Sequence, residues 1–261
     1  PPDSQEATLF RTRDGQRVGT RPLPPPASWL EPRGSQLITW SKDPERSVLR
    51  LVDVVGEREV WSREFAAGAF VSLVEGEDAV VVDPAGRAVA LDLASGTSRW
   101  ESPLEPLPQM TELQAHRRGE NYLLITNQPL PAGPTLVRHA QNVAQAVHGR
   151  IHLVDRQDGR LQFSLPLERL QFDPQQPADL PLLVFASHVY EPRRVGNGLE
   201  QRFLLTVVDR ATGKLVYDES RNDEPLTFID YRWDADAPAI ELQLFQSVVR
   251  FTFTGKPGTA E

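Results

Sequence analysis

The chain of 261 residues contains no cysteine and a single methionine. The missing thiols exclude disulfides, thiolate metal sites and a cysteine nucleophile. No apolar run approaches the roughly 20 residues of a membrane-spanning helix. Positive charge is also short: 28 Lys and Arg face 36 Asp and Glu, for a net charge of −8. Such a balance argues against nucleic-acid binding, which calls for a basic face. The local exception is Arg11, Arg13, Arg17 and Arg21, which reads as solvated charge. The chain begins Pro1-Pro2-Asp3 without an initiator Met or signal peptide, as a mature or excised piece of something longer does.

The usual signatures of catalysis are missing too. There is no G-x-S-x-G elbow, no H-E-x-x-H pair, no P-loop and no D-x-[DN]-x-[DN]-G calcium loop. The histidines are His116, His139, His148, His152 and His188. On a helix His148 and His152 would share a face, but Gly149 and the following Ile-His-Leu-Val-Asp predict a strand. Four strand residues span roughly 13 Å, too far for one ion. Gly196-Asn197-Gly198 reads as a hairpin turn, and Asp234 and Asp236 as an exposed turn.

What the chain does have is a repeat. Four segments share alternating apolar residues, an Asp, a short turn, and an aromatic residue eight positions after the Asp. They run from Asp53 to Trp61, Asp92 to Trp100, Asp155 to Phe163 and Asp209 to Tyr217. Gly96, Gly159 and Gly213 follow their Asp by four residues, whereas the first unit has Gly56 one position early and Glu57 in its place. Each unit predicts a β-hairpin. The Gly supplies positive φ in a tight turn, the Asp accepts hydrogen bonds from turn amides, and the aromatic ring packs on a neighbouring unit. The repeat residues are therefore expected to be structural.

Residues 79–100, and above all Ala90-x-Asp92-x-x-Ser95-Gly96-x-x-x-Trp100, resemble the pyrroloquinoline-quinone-like repeat of quinoprotein propellers. Asp209, Thr212, Gly213, Lys214 and Tyr217 fit the same pattern, as do Asp155, Gly159 and Phe163. The motif's Ala is replaced by Leu51, Leu153 and Val207, and Trp is kept only at Trp61 and Trp100. The resemblance covers most of residues 36–220. It implies an all-β propeller of four-stranded antiparallel blades, in which the aromatic residue wedges between blades and the Asp closes the turn.

On that basis the chain is expected to be one β-propeller domain over 1–261. Residues 1–35 would form an N-terminal strand and Pro-rich linker, including the polyproline-like Pro22–Pro26 run. Residues 36–220 would hold the four repeats, and 221–261 an incomplete last blade. About five units result, closed by pairing of the N- and C-terminal strands or belonging to a larger ring. Asp-to-Asp spacings of 39, 63 and 54 residues require insertions, which Pro-rich stretches at 103–108, 129–134 and 174–181 supply. Residues 136–147 are open to either a short helix or a loop.

The functional expectation is a non-catalytic scaffold or accessory domain that binds a protein partner or other domains of a longer chain, without cofactor or metal. Members of the resembled family include an accessory factor of outer-membrane protein assembly, so the resemblance implies a bacterial periplasmic or envelope setting. It also carries two alternatives: an oxidoreductase using pyrroloquinoline quinone with calcium, or its remnant, and a purely structural envelope module. The enzymes of the family resemble larger, eight-bladed rings, often with a vicinal cysteine pair that this chain lacks.

Overall fold

Alternating apolar residues recur every second position through most of this chain, and they fold into strands. In the computed structural model, residues 6–22, 28–74, 76–130, 144–192, 199–221, 228–233, 239–244 and 248–252 are described. They form twenty strands and, among the described residues, no helix long and apolar enough to cross a membrane. The chain falls into two compact units, Pro1–Pro108 and Gln109–Glu261.

The first unit holds three sheets. β1 (Glu6–Phe10) and β2 (Arg17–Pro22) make a two-stranded ribbon. β3 (Ser28–Arg33), β4 (Gln36–Lys42), β5 (Arg46–Asp53) and β6 (Arg58–Ala66) form a four-stranded antiparallel meander. So do β7 (Phe70–Leu73), β8 (Asp78–Val82), β9 (Arg87–Asp92) and β10 (Ser98–Pro103). Period-two alternation sends Ile38, Trp40, Leu49 and Leu51 of the first meander against Ala79, Val81, Val89 and Leu91 of the second. Each large aliphatic side chain buried in this way contributes about 1.5–3 kcal/mol.

In the second unit, β11 (Glu112–Arg118), β12 (Asn121–Asn127), β13 (Gln145–Asp155), β14 (Leu161–Phe172), β15 (Leu182–Pro192), β16 (Leu199–Asp209) and β17 (Leu215–Arg221) lie in chain order in one sheet. β18 (Phe228–Trp233), β19 (Ala239–Leu244) and β20 (Val248–Thr252) form another. Ile125, Ile151, Leu153, Phe172 and Phe185 centre one core, and Val184, Leu205, Val207, Ile240 and Leu242 a second.

This architecture corrects the expected ring of equal four-stranded blades. Among the described residues the sheets contain two, four, four, seven and three strands, and none closes on itself. The physical cause lies in β13 and β14. The repeat predicts a short hairpin about Asp155 and Phe163, but its two strands run to 11 and 12 residues. The overlong β14 reaches β15 at Phe172, opposite Phe185, and fuses what the repeat divides into two sheets. Gly149 permits the extension, because a Cβ there would lie 2.1 Å from the Thr126 carbonyl oxygen. Gln176 then acts as a substitute strand. Its side-chain amide donates to Val184 O at 2.6 Å and accepts from Val184 N at 3.0 Å.

Closure by the chain ends is corrected as well. β1 takes β2 as its partner, and β18 to β20 pair among themselves. β3, expected to be linker, is an edge strand that accommodates Pro32. Of the ambiguous 136–147 stretch, residues 145–147 open β13 and Ala144 precedes it without regular structure; 136–143 lie outside the described residues, as do 23–26 of the proline run, 196–198, and Asp234 and Asp236.

Candidate functional site

All four repeat segments fold into the same hairpin. The residue two before the Asp faces the aromatic ring across the strands: Leu51 and Trp61, Ala90 and Trp100, Leu153 and Phe163, Val207 and Tyr217. The residue one before the Asp pairs six positions beyond it, so Val60, Arg99, Gln162 and Val216 are each bulged out of register. The positions at which the family's Ala is replaced are thus those directly opposite the rings.

The turns repeat to the same pattern. Asp92, Asp155 and Asp209 each donate their amide to the carbonyl five residues on, at 2.8–2.9 Å, and accept the amide of Gly96, Gly159 or Gly213 at 2.8–3.0 Å. Those glycines have φ of 72°, 75° and 69°. In the first unit Glu57 takes φ 53° at the same place, a left-handed conformation that costs a side-chain-bearing residue roughly 1–2 kcal/mol.

The Asp side chains are engaged in these turns. Asp53 Oδ1 accepts Val55 N at 3.2 Å and Gly56 N at 3.0 Å. Asp92 Oδ1 accepts Ala94 N, Ser95 N and the Ser95 hydroxyl within 3.0 Å. Asp155 Oδ1 accepts Gln157 N at 2.8 Å, and Asp209 Oδ1 accepts Thr212 N at 2.8 Å and its hydroxyl at 2.7 Å. The Ser95 amide first, then the Ser95 hydroxyl and the Arg99 charge, hold the Asp92 carboxyl below the usual range against an opposing desolvation.

Two of the aromatic rings lie flat against the next turn. A Cβ on Gly96 would stand 2.6 Å from Cδ2 of Trp61, and the Trp61 indole donates to Leu93 O at 3.1 Å. A Cβ on Gly213 would stand 2.3 Å from Cγ of Phe163. Tyr217 meets Phe251 edge to face at 5.8 Å, and Trp100 is buried. These glycines therefore serve twice, for positive φ and for the ring above them.

Two features escape a reading of the repeat alone. Asp78 and Asp92 oppose each other across β8 and β9, and the bulged Arg99 clamps both, at 2.8 and 2.6 Å. The N-terminal ribbon is also a fifth copy of the hairpin. Arg11 N donates to Gln16 O, Gly15 N donates to Arg11 O, and Gly15 has φ 67°. Phe10 pairs with Arg17, Leu9 with Gly19, and Val18 is bulged. Arg11 stands where the others have Asp, and Gly19 where they have an aromatic ring. Gly15, four residues after Arg11, is the signal in the sequence that marks it.

The histidines do not converge. His148 and His152 both lie on β13. Burial, with a smaller effect of Arg150, pushes His152 down to about 4, and its Nε2 lies 3.3 Å from the Thr126 hydroxyl. Burial, then Arg118, likewise lowers His116 to about 4, and its ring packs on Phe172 at 5.3 Å. His188 stacks edge to face on Phe203, and His139 lies outside the described residues. Among the described residues no group of three or more His, Asp or Glu is placed to hold a metal ion.

No protein-family model and no curated protein matches the chain. Solved structures do. Hydrazine synthase of Kuenenia stuttgartiensis matches at 12% identity and a TM-score of 0.42, over 82% of this chain and 54% of that one. BamB of Moraxella catarrhalis matches at 15% identity and a TM-score of 0.28, over 88% of this chain and 91% of that one. The chain thus spans about half the length of the hydrazine synthase chain. Both likenesses are distant and broad.

Proposed function

We propose that this chain is a non-catalytic all-β scaffold that offers turns and strand edges to a protein partner, or to other domains of a longer chain. The observation that carries the reading is the use made of the repeat carboxylates. Asp53, Asp92, Asp155 and Asp209 each accept amides of their own turn, which leaves them as architecture rather than as acids or bases. The reading gives Gly96, Gly159 and Gly213 the same structural role, with Trp61 and Phe163 as the rings that seat one hairpin on the next turn and Trp100 and Tyr217 as rings packed into the fold. The buried histidines agree with it: His116 and His152, held neutral by burial, are poor general acids and bases near pH 7. The proposed setting, on the resemblance of the repeat, is the bacterial envelope.

Two measurements separate this from its rivals. Titration with pyrroloquinoline quinone and calcium, followed by quenching of the five tryptophans, is expected to give no saturable change. Saturation would restore the oxidoreductase reading. Cross-linking in the cells that make the chain is expected to yield one discrete adduct with another polypeptide. A purely structural module would yield none.

A further inference from the structure

The fifth hairpin is built like the other four but is left in different company. In each repeat hairpin the ingoing strand is paired on both edges: β5 also with β4, β9 with β8, β13 with β12, β16 with β15. Among the described residues, β1 pairs with β2 alone. The side chains register the difference. Leu91, Val154 and Val208 hold the position of Phe10 in their hairpins and are 0% exposed, whereas Phe10 is 61% exposed. Val52, the fourth equivalent, is half-buried. An unpaired edge beside an exposed aromatic ring is a template for another strand.

Charge and anchoring say what kind of strand fits. Arg11 and Arg13 share one acidic contact, Asp14, at 3.1 and 3.5 Å, and Arg17 donates to the Thr20 hydroxyl. The tip is therefore basic on a chain whose net charge is −8. The ribbon is also held in place, because Leu9 packs on Leu37 and Val54. A fixed edge spares an incoming strand part of the ordering cost.

We infer that the free edge of β1 takes up an extended, antiparallel segment of a partner protein whose side chains alternate apolar and acidic. Apolar residues cover Phe10 and acidic ones meet Arg11 and Arg13 at the turn. This deepens the scaffold reading and rests on it.

The probe is a fluorescein-labelled nine-residue peptide alternating valine and glutamate, with a valine–lysine peptide of the same length as control. Fluorescence polarisation is expected to show saturable binding at least about tenfold tighter for the glutamate peptide, weakening with salt. Hydrogen exchange is expected to slow at the β1 amides when it binds. Phe10→Ser should weaken binding about tenfold without changing the far-UV spectrum, since the side chain lies at the surface. Arg11→Glu with Arg13→Glu gives the same loss by an independent route.

Equal binding of both peptides, or binding indifferent to both variants, overturns the inference. So does attachment only to phosphatidylglycerol vesicles, which would make the tip a lipid contact. A dimer of the chain alone that Phe10→Ser dissolves makes a second copy the occupant and overturns it too. Protection on β17 or β20 instead of β1 refutes the docking edge but leaves the scaffold reading standing. That reading fails separately, on the absence of a cross-linked partner.

Discussion

Hairpins β9–β10 and β1–β2 have the same register, bulge and left-handed glycine, and they differ at the two positions that define the repeat. Where the first has Asp92 and Trp100, the second has Arg11 and Gly19. The backbone path therefore needs neither the carboxylate nor the ring. What these supply is attachment: the carboxylate binds the turn to itself, and the ring binds one unit to its surroundings. A hairpin without them keeps its shape and leaves Phe10 in solvent. Turn geometry and unit packing are thus separable properties of one repeat.

The sharpest way to break the comparison is to add one methyl group to each turn. Gly96→Ala places a Cβ 2.6 Å from the Trp61 ring, and Gly15→Ala meets nothing within 4 Å. Both suffer the left-handed penalty of about 1 kcal/mol. Only the first must also displace an indole, at a further ~1–3 kcal/mol. Urea unfolding should therefore show a loss of about 3 kcal/mol for Gly96→Ala and about 1 for Gly15→Ala. Equal losses would mean that Trp61 does not dock on the turn.

Next in size is Arg99→Met. The variant keeps the aliphatic stem and removes the cation between Asp78, which is buried, and Asp92. Breaking a fully buried pair costs about 3–5 kcal/mol. Arg99 is 38% exposed, so we expect about 2 kcal/mol, measured by urea unfolding. No counterpart exists in β1–β2, whose bulged residue is Val18.

How far the sequence foretells this follows from the reach of each signal. Strand positions and the Asp-turn-aromatic hairpins depend on residues close together in the chain, and period-two alternation with a glycine at a fixed offset reveals them. The partition into sheets does not. It depends on how far β13 and β14 continue, which is decided by Gly149 lying against Thr126 and by Gln176 mimicking a strand for Val184. The first joins residues distant in sequence, and the second is made by a side chain that no alternation marks as part of a strand. Among the candidate residues, Asp53, Asp92, Asp155 and Asp209 stand out because they recur. The fifth hairpin is hidden because Arg11 and Gly19 replace the two residues that define the search. Arg99 is hidden because only the bulge turns it towards Asp78.

A smaller effect tests the left-handed position itself. Glu57 occupies the place held by glycine in Gly15, Gly96, Gly159 and Gly213, at φ 53°. Glu57→Gly relieves roughly 1–2 kcal/mol of strain. The greater freedom of glycine in the unfolded chain takes back about 0.5–1 kcal/mol. The net gain expected is about 0.5 kcal/mol, measured as a higher urea midpoint at unchanged slope. A loss would mean that the side chain of Glu57 supports the turn by its own contacts.

The smallest effect is one of pH. The Asp92 carboxyl titrates below its unfolded value because the Ser95 amide and hydroxyl and Arg99 favour its charged form. A depressed carboxylate stabilises the fold at pH values above the unfolded pKa of about 3.9. That contribution is lost as pH falls through the lower folded value. Asn at this position keeps an acceptor for the turn amides but cannot titrate. Asp92→Asn should therefore flatten the acid limb of local exchange at the Ser95 and Gly96 amides, while the Gly15 amide keeps its wild-type profile. Arg11 leaves that hairpin with no carboxylate at the equivalent place. Parallel changes at Gly15 and Gly96 would show that the two turns respond to acid through global unfolding, and would remove the distinction between a turn that opens on an Asp and one that opens on Arg11.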